Sequence, residues 1–131
     1  MPFHMSDAQF EASVERALAR MPKSVMEKME NVAIFIEDRY DPALHGDYDD
    51  ASSPSRGGLI LGLYEGIPMT ERLWGWDAGK LPDRIFLYQD SILEICESAQ
   101  QVEREIAITI VHEIAHHFGI DDDLLHELGW G

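Results

Sequence analysis

Residues 101–118 run without a proline or glycine and leave little polar face: Ile106, Ala107, Ile108, Ile110, Val111, Ile114 and Ala115 fall on every side. The run is too long for a strand, which predicts a helix. A helix that is apolar nearly all round must be buried, so in a chain of 131 residues it is central and the rest wraps around it. Polar side chains at Glu105, Thr109, His112, Glu113 and His116 cost stability in such a place and need a reason to be there.

The reason is legible in His112-Glu113-Ile114-Ala115-His116, an H-E-x-x-H pattern. Histidines four apart on a helix point the same way, because one turn takes about 3.6 residues. Both imidazoles can then reach one zinc ion at about 2.0–2.1 Å. Glu113 stands beside them, placed to take a proton from a metal-bound water. The pattern extends to H-E-x-x-H-x-x-G-x-x-D through Gly119 and Asp122. Gly119 is placed to stop the helix, which lets a residue just beyond fold back toward the metal. Two readings of Asp122 stand open. It matches the offset of a third ligand, and it is also a good N-cap for a last short helix. His126, one turn further on, is the alternative third ligand, and imidazole suits zinc well. His117 lies about 100° around the helix from His116 and should not share the metal, which leaves it a place at the rim. Asp121 and Asp123 suit helix capping and dipole roles.

Charge and composition exclude other classes. With 25 acidic against 10 basic residues, the net charge of −15 repels phosphate backbones, so nucleic acid is not an expected partner. No apolar run approaches the roughly 20 residues of a membrane span, so no membrane partner is expected. The first residues show neither a basic region nor an apolar stretch, and the single Cys96 permits no internal disulfide. Both features point to a cytoplasmic protein, and the length to a single domain over residues 1–131. Cys96 reads as a small buried apolar residue.

Along the chain, Ser6 or Asp7 can cap a first helix over residues 7–20, and Ser24 a second over residues 25–30. Residues 32–38 are short and β-rich, which predicts a strand. Residues 40–58 are polar, with prolines and serines, and predict a mobile loop. Strands are predicted over residues 59–64 and 84–89, and a helix capped by Asp90 or Ser91 over residues 91–99. The expected fold class is therefore α/β (α+β), with a small mixed sheet of three to four strands packed against helices. Trp74 and Trp76 lie in a turn-rich segment, residues 66–82, where they either pack or overhang the metal site. One of the strands over residues 59–64 and 84–89 could be an edge that pairs with an extended peptide.

Residues 112–130, HEIAHHFGIDDDLLHELGW, resemble the signature of the minimal zincin-like metallopeptidase family of bacteria. The segments GLILGLYEGIPMTER and LPDRIFLYQ resemble the same family, so the likeness covers most of residues 30–131. The resemblance implies a compact fold, zinc as cofactor, and a site made of His112, Glu113, His116 and Asp122. It also implies metal-assisted hydrolysis of peptide bonds, with Glu113 as general base. Tyr64, Tyr88 and His126 are candidates for an oxyanion donor. No methionine follows Met69 to make the turn of larger relatives, and only 15 residues follow His116. The expected substrates are therefore peptides or unfolded protein segments. Two other functions are compatible with the motif: a catalytically silent metal-binding or interaction protein, and a zinc-dependent RNA-processing hydrolase. An intact Glu113 opposes the first, and the acidic charge opposes the second.

Overall fold

The computed structural model describes residues 3–39, 55–56, 59–66 and 82–118. Helix α1 (Asp7–Ala19) opens on a reciprocal cap: the Gln9 amide donates to the Ser6 hydroxyl, and the Ser6 amide to the Gln9 side chain. Phe10, Val14 and Ala17, at helical spacing, are its buried stripe. Helix α2 (Lys23–Lys28) starts earlier than expected, with Pro22 rather than Ser24 at its N-cap and no side chain capping it. Strand β1 (Val32–Glu37) follows as the sequence predicts.

Two corrections concern the middle of the chain. The expected loop over residues 40–58 contains a short strand, β2 (Ser55–Arg56), antiparallel to β3 (Leu59–Ile60). The expected single strand over residues 59–64 is interrupted at Leu61, beyond which β4 (Gly62–Glu65) takes a different partner. Strand β5 (Asp83–Tyr88) is that partner, and it also pairs in parallel with β1. The three-stranded sheet is thus mixed, ordered β1-β5-β4, with β5 in the centre. The option that the strand over residues 84–89 is a free edge is overturned, and β4 is an edge among the described residues.

Gln89 leaves the sheet directly into helix α3 (Gln89–Glu94). No side chain caps it, because its first turn is tied to the end of β1, the Asp90 amide donating to the Asp38 carbonyl at 3.0 Å. It ends at Ile95 rather than near residue 99. The long helix α4 (Ala99–Phe118) then begins two residues early, where the Ser98 hydroxyl accepts from the Gln101 amide at 3.1 Å. It is central, as its composition demands: Val102, Ile106, Ile110, Ile114 and Ala115 are fully buried. They share one core with α1, with Ile85 and Leu87 from the sheet, and with Leu61 and Cys96. Truncating one of these isoleucines to alanine should cost about 2–5 kcal/mol. Phe86, Tyr88 and Leu63 form a smaller cluster on the other face of the sheet. Among the described residues no helix is long and apolar enough to cross a membrane.

Candidate metal and catalytic site

Strand β4 and helix α4 are matched along their length. The Tyr88 amide donates to the Leu61 carbonyl, so Leu61 turns its polar groups toward β5. By alternation Gly62 and Tyr64 turn theirs away from β5. Gly62 lies against the helix so closely that a Cβ there would stand 2.5 Å from the Thr109 Cγ2. Two strand residues advance about 6.6 Å, and four helical residues about 6 Å. A strand seated with Gly62 on Thr109 therefore brings Tyr64 level with Glu113. The Tyr64 amide donates to the Glu113 Oε1 at 2.9 Å. Thr109 is itself held, its hydroxyl donating to the Glu105 carbonyl at 2.7 Å.

Glu113 is 3% exposed, so the carboxylate is fixed in a drier setting than an ordinary surface glutamate. On either side of it in sequence stand the two histidines, His112 half-buried and His116 exposed. Their ring centroids are 6.4 Å apart and the planes nearly perpendicular. Two imidazoles on one helical face are two of the nitrogen donors that zinc takes, and Glu113 is held beside them by a separate element. Among the described residues no three His, Cys, Asp or Glu side chains converge on a metal position. The third ligand expected at Asp122, or alternatively at His126, lies outside the described residues, as do Trp74, Trp76 and the Gly119 stop.

Other expected participants are placed differently. Tyr88 is wholly buried with Leu63 and Phe86, away from α4, and is not available as an oxyanion donor. The Tyr64 hydroxyl donates to the Asp83 Oδ2 at 2.6 Å, so the contribution of Tyr64 to Glu113 comes from its backbone. His117 does turn away from its neighbour. It stacks on the Tyr64 ring at 3.9 Å, with its Nε2 3.9 Å from the Asp83 carboxylate. Phe118 packs edge-on against both rings. The edge-strand amide was missed in the sequence. Its signal was the match between Gly62-x-Tyr64 on a strand and Thr109-x-x-x-Glu113 on a helix.

The sequence profile of the zincin-like metallopeptidases matches residues 29–130. No curated protein matches the chain. Among solved structures, a conserved hypothetical protein from Thermo thermophilus is similar, with a TM-score of 0.53 and 26% identity. The match covers 87% of this chain and 94% of that one.

Proposed function

The chain belongs to the zincin-like metallopeptidase family, and we propose that it is a zinc-dependent peptidase that cleaves peptides or unfolded segments. One observation carries this reading: the buried Glu113 carboxylate, flanked by His112 and His116, is held by an amide of the β4 edge. A purely structural metal site has no use for a general base fixed in this way. His112 and His116 would hold the metal, with Asp122 as third ligand or His126 in its stead. Bound there, zinc would supply Lewis acidity, polarising a carbonyl and making a water acidic enough to lose its proton near neutral pH.

The chain's own residues do the rest. Glu113 takes that proton and returns one to the leaving amine. The Tyr64 amide holds one oxygen of Glu113, so the carboxylate does not have to find its orientation during the reaction. Glu113→Gln keeps the size of the side chain and removes its basicity. This variant should bind zinc like the wild type and cleave a peptide library at least about a hundredfold more slowly. Equal cleavage by wild type and variant would sink the assignment.

A further inference from the structure

Beside the Tyr64 ring lies a cavity of about 520 Å³. Tyr64, His117 and Phe118 form an aromatic wall, and Asp83 accepts the hydrogen bond of the Tyr64 hydroxyl within the lining. Glu27 and Glu30 also line it. The volume is in the range of sites that take small ligands or side chains. The lining already accommodates a cation: the Lys28 ammonium lies 5.2 Å from the centroid of the Phe118 ring. Lys28 is the one ammonium among the described lining residues, against three carboxylates.

We propose that this cavity is a subsite for the lysine or arginine side chain of a peptide substrate, with Lys28 occupying it when no substrate is bound. The inference rests on the peptidase reading of α4. One residue links the two places, since the Tyr64 amide holds Glu113 while the Tyr64 ring walls the cavity. A peptide with its scissile bond at Glu113 can turn a neighbouring side chain past Tyr64 into the cavity. The aromatic faces would attract its cationic head, and the three carboxylates would favour it over an acidic one.

Gly66 provides a variant that blocks the cavity without straining the fold. A Cβ at Gly66 would meet His117 Cε1 at 3.5 Å and Asp83 Oδ1 at 3.8 Å, ordinary contact distances, so a larger side chain fits and extends over the lining. The experiment is calorimetric titration of the full-length Glu113→Gln protein with three blocked pentapeptides, differing only in a central lysine, norleucine or glutamate. The lysine peptide should bind about five- to tenfold more tightly than the norleucine one, as expected for a cation on an aromatic wall, and the glutamate peptide most weakly. Its binding should shift the ring resonances of His117 and Phe118. Gly66→Leu should abolish the preference while leaving the thermal melt in place. Lys28→Ala should strengthen lysine-peptide binding several-fold, because it removes the competitor. Equal affinity for lysine and norleucine, no binding of either, or a preference that survives Gly66→Leu overturns the proposal. Lysine-selective binding at these rings without cleavage by the zinc-loaded wild type leaves the subsite standing and removes the peptidase reading.

Discussion

Asp122 and His126 can be told apart by chemistry, because an aspartate at the start of a helix can serve as a cap and a histidine one turn further on cannot. Asp122→Asn keeps a capping side chain and loses the charge, so a ligand role predicts weaker zinc binding with little change in stability. If Asp122 only caps, Asp122→Ala should cost about 0.5–2 kcal/mol and leave zinc affinity alone, while His126→Ala should lower it. Zinc titration and thermal melts of the three variants decide between them. His112 and His116 are prior to either: replacing both by alanine should abolish the near-equimolar zinc expected of the wild type, and elemental analysis would read it directly. At this scale the sequence was most legible where spacing along a single helix carries the geometry. His112, Glu113, His116 and the outward turn of His117 all follow from 3.6 residues per turn. The Tyr64 amide and Asp83 did not follow, because their role depends on contacts between elements far apart in the chain.

The seating of β4 on α4 is a property of both elements together. Gly62→Ala should push the strand off Thr109 and lengthen the bond from the Tyr64 amide to Glu113, since real side chains do not tolerate a 2.5 Å contact. We expect a loss of about 1–3 kcal/mol in stability, typical of overpacking, and a changed Tyr64 amide proton shift. Thr109→Ser removes the obstructing Cγ2 and keeps the hydroxyl, so the double variant should recover most of both. Failure of the double variant to recover would show that the nearby Phe86 carbonyl, 3.1 Å from the same Cβ, is the true obstacle. Element types came through well from apolar spacing, because α1, β1, β5 and α4 each have a long enough pattern. Boundaries and partners came through less well. The apolar run over residues 59–64 is interrupted only by Gly62, which marks a break or close approach but not the exchange of β2 for β5 as partner. Helix α3 needs no capping side chain because the Asp38 carbonyl, just beyond β1, serves, which local sequence cannot reveal. Helix α2 starts at Lys23 rather than at the residue after Ser24.

Over the whole molecule, the candidate metal site and the core draw on the same helix. Between them, α1 and α4 are joined by Arg16 and Arg20, which both grip Glu103, at 3.1 and 2.8 Å. Exposed pairs of this kind contribute little, so α4 is held by its apolar faces. Zinc binding to the folded chain alone should then stabilise the protein as a unit, by about 2.7 kcal/mol at a hundred times the dissociation constant. Scanning calorimetry should show a rise in Tm of several degrees with zinc and its reversal by a chelator. An unchanged Tm in the presence of bound zinc would mean that the site forms equally well in the unfolded chain.

The parallel pairing of β1 with β5 has a kinetic consequence. Val32 sits opposite Asp83, about 50 residues later in the chain, and β4 can join the sheet only through β5. Closing a loop of that length costs roughly 3–4 kcal/mol of chain entropy before any strand contact repays it. During synthesis, Val32, Ile34 and Ile36 emerge well before the central strand that covers them. Refolding should therefore be limited by the arrival of β5, in the milliseconds-or-slower range of folds rich in distant contacts, although most of the described residues in regular structure are helical. The Glu113 tether, which needs β4 in place, should form at that step and not with the helix.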